Sequence, residues 1–292
     1  MADGGIGNQS PATLFQARLN TDGGVSPDLT LGQYAGSKVV VAGVTVAIPL
    51  AGLTVNIGDN LISAVGADSG GPPAASTLYY VYVSNRKASF SPESIRLSAT
   101  PPSLVNGVKY LGSSGNALNW RFVGWVYPNA TPNFESSLES RLICNYYNRL
   151  TLPLFICSGY TDADDATFVS IPTGTTWVGF DDGITPNRLN FISNGEDAVQ
   201  YMGFAGSKSS LSWYLGIAED SNVSPSIQTV QNTVPGATVS SSVGRPSLLA
   251  EGFHFVRLLG IAFGGTDFWI DLPRQGALHD PAVMYLEASV EA

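Results

Sequence analysis

Two histidines are the side chains through which this sequence could perform nucleophilic catalysis, because a Ser-His-Asp site needs a histidine to accept the proton. His254 lies in Gly252–Val256, an alternating aromatic run typical of a strand face, and we expect a packed histidine there. His279 lies in a loop segment beside Asp280, a pairing that arises easily by chance. No Gly-x-Ser-x-Gly motif is present. The sequence therefore predicts no catalytic residue, and two histidines this far apart predict no zinc site.

Paired carboxylates, which glycoside cleavage requires, are the second chemical possibility. Acidic residues cluster in four short segments, all beside Gly, Asn or Ser in turn-like sequence: Asp162-Ala163-Asp164-Asp165, Asp181-Asp182, Glu196-Asp197 and Glu219-Asp220. We expect solvated turn residues, and a capsule-degrading enzyme is the least favoured alternative. The first segment offers oxygen ligands for calcium but lacks the glycine and distal glutamate of an EF-hand loop. No metal and no cofactor are predicted, and no phosphate-binding loop of the Walker type occurs.

Aromatic residues of the second half offer the third chemistry, which is sugar binding beside Asn and Asp side chains. Most large aromatic side chains lie in cores or subunit interfaces, so we expect only one or two to form a glycan platform. The candidates are Trp177, Tyr201, Trp213, Tyr214 and Trp269. This prediction weakens if all five are buried in the assembled protein.

The composition indicates a folded protein with large subunit contacts. Only 13% of the 292 residues are charged, against a usual value of about 25%. Aromatic residues make up 10% and apolar residues 44%, which excludes a disordered chain and is enough for a sizeable core. The net charge is −9 and no basic stripe occurs, so we expect neither nucleic-acid binding nor docking on an anionic membrane.

The cysteines and the N-terminal segment indicate the cellular compartment in which the protein folds. Cys144 and Cys157 fit no metal spacing and each lies among apolar residues, which predicts two reduced core thiols, with a disulfide across a hairpin as the alternative. The polar segment Met1–Pro11 has no signal-peptide features. The most apolar window, Val39–Leu53, is too short and too interrupted by glycine and proline to span a membrane. We therefore expect a soluble protein, and free thiols fit assembly in a reducing cytosol.

Strand patterns dominate the chain. Alternation changes parity at Gly43, which predicts a bulge or tight turn. In the second half, short strands are expected at Leu152–Ser158, Thr167–Ile171, Thr176–Phe180, Arg188–Ile192, Ala198–Phe204, Leu211–Ala218, Gln228–Val230, Ala237–Ser241, Gly252–Phe263, Asp267–Leu272 and Ala282–Val290. One short helix is expected near Phe134–Arg141, with Asn133 as its cap. Strands this short and this regularly spaced predict an all-β fold.

Pro128 and Pro132 mark the predicted boundary between two domains. We expect an N-terminal arm at 1–28, a β-rich domain at 29–140, and a C-terminal β-sandwich at 141–292. The fold class is thus two antiparallel β-sandwich or jelly-roll-like domains after an extended arm. The arm is either a disordered leader or a segment that orders on docking to a partner, and its candidate attachment residues are Leu14, Phe15 and Leu19.

The segment Ser76–Phe134 carries the most specific pattern. An aromatic strand with the letters YYVY (Thr77–Asn85) is followed by a proline-rich middle and a VGW strand (Trp120–Asn129). This order resembles a module of bacteriophage fibre and related virion proteins, over residues 29–140. The resemblance implies a non-enzymatic, structural or adhesive virion protein and, with the low charge, a homotrimer.

By the same resemblance, the N-terminal part attaches to other virion proteins, and the C-terminal sandwich binds polysaccharide on the host cell surface. The alternative is a head-decoration, head-fibre or joint protein whose partners all lie within the particle.

Overall fold

The computed structural model describes residues 14–21, 24–62, 70–85, 91–157, 169–171, 176–179, 188–208, 212–231, 238–263, 268–270 and 285–292. These residues form two compact units. Unit 1 holds the described residues up to Ser137, together with Arg141–Leu150 and Ala292, and unit 2 holds Leu138–Ser140 and the described residues of Thr151–Glu291. The sequence placed the division at 140/141, whereas the structure keeps the next ten residues with unit 1.

Fourteen strands cover the described part of the first half of the chain. They are β1 (Ala17–Thr21), β2 (Val25–Ser26), β3 (Asp28–Gln33), β4 (Lys38–Val41), β5 (Val44–Ala47), β6 (Leu53–Asn56), β7 (Tyr79–Ser84), β8 (Ile95–Ser98), β9 (Ser103–Val105), β10 (Val108–Tyr110), β11 (Trp120–Val126), β12 (Phe134–Glu135), β13 (Ser140–Arg141) and β14 (Ile143–Asn145). The main sheets have the orders β1-β3-β6 and β8-β7-β11-β10-β9, with β14 also beside β11.

Two of the hairpins follow directly from turn chemistry. β4 and β5 are joined by Ala42-Gly43, and β9 and β10 by Asn106-Gly107. All four residues have positive φ angles, between 49° and 80°, as the two-residue turn that suits the twist of a hairpin requires. The parity change at Gly43 is therefore a tight turn.

The core of unit 1 lies between these sheets, and a β-bulge in β11 shapes it. The register with β7 shifts between Phe122 and Gly124. Because of the extra residue, Val123 and Val126 both belong to the main apolar core, while Phe122 and Trp125 face away from it and meet edge to face at 4.8 Å. β7 and β11 are therefore buried on both faces, in agreement with strands that each carry three aromatic residues.

The predicted N-terminal arm is part of this core where the structure describes it. β1 pairs with β3, and Phe15 and Leu19 are 3% and 2% exposed. The other edge of β1 is bonded to side chains instead of a strand. Asn145 accepts from the Leu19 N–H (2.7 Å) and donates to its carbonyl (3.1 Å), and the Asn148 amide donates to the Ala17 carbonyl (2.6 Å). The residues named for attachment are thus structural, since Phe15 and Leu19 fill the core and the Leu14 carbonyl accepts from Arg121.

Eleven further strands are described in unit 2: β15 (Thr151–Cys157), β16 (Val169–Ile171), β17 (Val178–Gly179), β18 (Arg188–Asn194), β19 (Val199–Lys208), β20 (Ser212–Glu219), β21 (Ile227–Gln231), β22 (Thr238–Ser247), β23 (Glu251–Phe263), β24 (Phe268–Ile270) and β25 (Tyr285–Glu291). One sheet has the order β13-β18-β23-β20-β21, with β17 beside β23, and a second has the order β15-β25-β19-β22. β16 pairs with β24.

The two large sheets of unit 2 pack face to face. A Cβ atom added at Gly203 of β19 would lie 2.3 Å from Leu258 Cδ1 and 3.3 Å from Ile217 Cδ1, which belong to the opposite sheet. Leu154 and Leu286 point into the same layer and are fully buried. The protein is therefore all-β, as the sequence predicts, and unit 2 is an antiparallel sandwich.

The predicted short helix is wrong. Phe134–Glu135 forms β12, which pairs with β2, and the bridge between Ser136 and Arg141 continues the extended chain. Phe134 is fully buried, so pairing places its ring in the core, which outweighs the weak helix signal of the segment. Helix in the described residues is limited to the 3₁₀ turns Pro92–Ser94 and Gly115–Asn119, and none is long and apolar enough to cross a membrane.

Candidate interaction surface

The outer face of the sheet β15-β25-β19-β22 presents two large apolar side chains to solvent. Alternation along the strands sends one set of side chains inward to the sandwich and the other outward. Phe155 on β15 is 41% exposed and Met202 on β19 is 38% exposed, and β25 lies between these two strands. We call this surface the Met202 face, and it consists of Pro153, Phe155, Gln200, Met202, Phe204, Ser242, Gly244, Pro246, Tyr285, Glu287 and Ser289.

Strand register arranges the Met202 face in three cross-strand rows. The central row runs Phe155–Glu287–Met202–Gly244. On one side lies the row Tyr285–Phe204–Ser242, and on the other the row Pro153–Ser289–Gln200–Pro246. Large side chains therefore lie on β15, β25 and β19, whereas β22 contributes small or flat ones.

An open groove of about 850 Å³ follows from this difference in side-chain size. Gly244 lies in its lining, and a Cβ atom there would be 2.6 Å from the Tyr201 carbonyl oxygen and 3.1 Å from Met202 Cα. The backbone of β19 thus excludes any larger residue at this position, and the floor of the groove stays flat.

The aromatic rings of the Met202 face stack on one another. The Tyr285 ring lies parallel to Phe204, with centroids 5.3 Å apart and an interplanar angle of 12°, and it stacks on Phe155 at 6.0 Å and 29°. Both faces of the Tyr285 ring are therefore covered. A sugar ring binds an aromatic residue by lying flat on an exposed ring face, so this arrangement suits the packing of apolar side chains better than sugar stacking.

Glu287 stands in the middle of this apolar surface, with Phe155 on one neighbouring strand and Met202 on the other. Within the described residues, its carboxylate takes part in no hydrogen bond or ion pair. Water solvates the carboxylate as long as the face is open. A partner that covers the face removes this water, which is costly unless the partner brings a cation or hydrogen-bond donors.

On the inner side of the same strands, a polar network joins the two sheets. The Tyr201 hydroxyl donates to a Glu219 carboxylate oxygen, and Arg245 forms an ion pair with Glu219 at 3.2 Å and donates to the Tyr201 hydroxyl at 3.3 Å. Tyr201 and Arg245 belong to the four-stranded sheet and Glu219 to the other. The network fixes the sheets against each other behind the Met202 face.

The aromatic residues proposed for glycan binding lie elsewhere in unit 2. Trp213 is 1% exposed and Tyr201 is 4% exposed, so neither presents a ring face to solvent in the single chain. Trp177 and Tyr214 are half-buried and meet edge to face, with centroids 6.4 Å apart. Trp269 lies outside the residues whose side chains the structure describes. Of the four candidates that the structure describes, Trp177 and Tyr214 lie in contact, and Tyr201 and Trp213 are buried.

His254 is a packed residue of strand β23, as the sequence predicts. Its Nδ1 lies 2.6 Å from Asp220 Oδ2, and its Nε2 lies 2.9 Å from the Ala250 carbonyl oxygen. A Ser-His-Asp mechanism needs Nε2 to face the nucleophile, and here a backbone carbonyl occupies that direction. The pair therefore anchors the turn after β20, where Asp220 has a positive φ of 52° and also accepts from the Phe255 N–H.

Three of the other groups considered for chemistry, Asp162–Asp165, Asp181-Asp182 and His279, lie outside the described residues. Within the described part of the chain, no group of three or more His, Cys, Asp or Glu side chains is arranged to hold a metal ion. Cys144 is a buried thiol, and the side chain of Cys157 is not described.

Burial changes the pKa of three groups in unit 1. Desolvation lowers the pKa values of Arg18 and Arg141 from their ordinary value. Burial also raises the pKa of the Tyr147 phenol, while Arg121 opposes this change because its Nε donates to the Tyr147 hydroxyl at 3.1 Å. All three groups are half-buried, and the hydrogen bonds of Arg18 and Arg141 to backbone carbonyls give them a structural role.

Comparisons with known proteins identify no family. No family model matches the sequence, and no curated protein matches it. Among solved structures, the chain aligns with a structure of infectious bursal disease virus, Gx strain, at 11% identity and a TM-score of 0.25. The alignment covers 96% of this chain and 81% of that chain, and a TM-score this low does not indicate a shared fold.

Proposed function

We propose that this protein is a structural component of a virus particle and that it acts through protein–protein contacts made by the Met202 face. In the more specific form, it is a fibre- or spike-type protein of a tailed phage or phage-like particle, assembled in the host cytoplasm. The observation that carries the proposal is the exposed pair Phe155 and Met202, which flank Glu287 on an outer sheet face that also carries the stacked rings of Phe204 and Tyr285. Contiguous exposed apolar patches mark interaction sites on proteins that are otherwise well packed.

Two sequence features support this role. The YYVY and VGW strands, which resemble a module of phage fibre proteins, become β7 and β11, adjacent and buried in unit 1. The low charged fraction of 13% also suits a chain whose surface is partly covered by other subunits.

Protein partners explain the Met202 face better than a host glycan does. The stacked rings of Phe204 and Tyr285 cover each other, and two of the five aromatic residues proposed for sugar binding are buried. The interpretation as a head-decoration or joint protein, with partners only within the particle, therefore gains relative to a glycan-binding adhesin.

Sedimentation velocity of the full chain, between about 1 and 100 µM, tests the proposal. The wild type should associate, whereas Met202→Lys should remain a monomer over this range, because it places an ammonium group within the apolar contact. Val223→Lys is the matched control, since Val223 is 57% exposed in the turn between β20 and β21, two strands of the other sheet. This variant should associate like the wild type.

A monomeric wild type at 100 µM, or equal association of wild type and Met202→Lys, would overturn the proposal. Binding of the purified chain to host-surface polysaccharide, lost in Met202→Lys and kept in Val223→Lys, would contradict it in favour of an adhesin.

A further inference from the structure

The charge of Glu287 determines what kind of protein surface fits the Met202 face. An apolar partner would bury this carboxylate between Phe155 and Met202 with no compensating group. A favourable contact must therefore place a lysine or arginine opposite Glu287, with apolar side chains around it.

One described basic side chain of this chain meets these requirements. Most arginines of the described part are already engaged: Arg18 and Arg121 hydrogen-bond to backbone carbonyls, and Arg245 pairs with Glu219. Lys38 is exposed, and within the described residues its amine makes no hydrogen bond or ion pair.

Exposed apolar residues of unit 1 lie in the loop that precedes Lys38 and in the loop hydrogen-bonded to it. Tyr34 is 49% exposed, and Leu50 is 91% exposed, the highest value among the large apolar residues described. Hydrogen bonds hold the two loops together, from the Ile48 N–H to the Ser37 carbonyl (2.7 Å) and from the Gln33 amide to the Ile48 carbonyl (2.9 Å). We call the surface formed by Tyr34, Lys38 and Leu50 the Lys38 edge.

We propose that the Met202 face of one molecule binds the Lys38 edge of a second copy, with Lys38 opposite Glu287 and with Tyr34 and Leu50 against Phe155 and Met202. This inference rests on the proposed function and names the partner. The contact joins two different surfaces, so every molecule offers one free face and one free edge. The assembly therefore grows into a closed ring, of which a homotrimer is one form, or into an open chain.

Charge reversal tests this contact on the full chain. Lys38→Glu and Glu287→Lys each place like charges together, and each variant alone should associate about 100-fold more weakly than the wild type. A mixture of the two should associate again, because the altered edge of the Lys38→Glu variant and the altered face of the Glu287→Lys variant carry opposite charges. In the same mixture, the unchanged Lys38 and Glu287 also meet. The double variant Lys38→Glu/Glu287→Lys should associate by itself.

Glu287→Gln tests whether the charge of Glu287 strengthens or weakens association. With a lysine opposite, loss of the charge should weaken association about tenfold, whereas a purely apolar partner would bind this variant more tightly. Glu196→Gln, in an exposed turn of unit 2, is the control and should leave association unchanged.

Restored association in the mixture also demonstrates that both variants fold. If the wild type associates through Met202 but neither the mixture nor the double variant recovers, the Lys38 edge is not the partner, while the proposed function stands. If the wild type does not associate, the proposed function fails as well.

Discussion

Replacing Asn145 with alanine should release the N-terminal strand of unit 1. The Asn145 amide forms two hydrogen bonds with the backbone of Leu19, at 2.7 and 3.1 Å, on the edge of β1 that has no neighbouring strand. Asn145 and Leu19 are 3% and 2% exposed, so water does not readily replace the lost amide. An unsatisfied buried backbone group costs about 1–3 kcal/mol, and two such groups with some relaxation predict a loss of about 2–4 kcal/mol.

Hydrogen exchange measured by mass spectrometry gives a direct readout, because the Leu19 N–H itself donates to Asn145. A loss of about 2–4 kcal/mol corresponds to protection reduced by roughly 30- to 1,000-fold in peptides that cover 14–21. Asn133→Ala is the matched control, since Asn133 is half-buried and hydrogen-bonds within its own turn. It should leave the exchange of these peptides within about threefold of the wild type. Unchanged protection of Leu19 in Asn145→Ala would refute the account of β1 as an edge held by side chains.

Three further predictions concern the cores of the two units. Gly203→Ala should destabilise unit 2 by about 1–3 kcal/mol in urea unfolding, since the added Cβ would lie 2.3 Å from Leu258 Cδ1. Gly32→Ala is the control and should change stability little, because a Cβ added at Gly32 would meet no atom within 4 Å. Arg121→Met should destabilise unit 1 by about 1–3 kcal/mol, because it removes the donor of the buried Val40 carbonyl and one of the two donors of the Leu14 carbonyl, which also accepts from the Val40 N–H. Arg121→Lys should recover only part of this loss, as followed by thermal unfolding. Burial raises the pKa of Tyr147, so the stability that the neutral phenol contributes should be present below the unfolded-state pKa of about 10 and lost as the pH rises through the higher folded-state pKa. In a spectrophotometric titration, Tyr147→Phe should remove the phenol that ionises last. Urea unfolding at about pH 8 and about pH 11 should show the loss of stability.

Local sequence patterns predicted the strands well because strand signals are local. Each of the eleven strands expected in the second half overlaps a strand of the structure, since alternation and turn residues depend only on near neighbours. The helix expected near Phe134 was wrong because a long-range partner, β2, determines the conformation of that segment. The burial of Phe15 and Leu19 escaped the sequence for a similar reason: a short apolar patch such as Leu14–Leu19 looks alike whether it packs on its own core or on another protein.

The Met202 face illustrates why a site made of β-strands escapes sequence reasoning. Phe155, Met202 and Tyr285 lie on three strands far apart in the chain, and only the register of β15, β25 and β19 places them together. In each strand, apolar residues occupy both faces, so alternation alone cannot distinguish the inner face from the outer one. The useful signal is instead the apolar residue at an outward position, such as Phe155 between the inward-facing Leu154 and Ile156. A strand with apolar residues on both faces needs both faces to be covered by other parts of the protein or by a partner. In β15 the sandwich covers only the inner face.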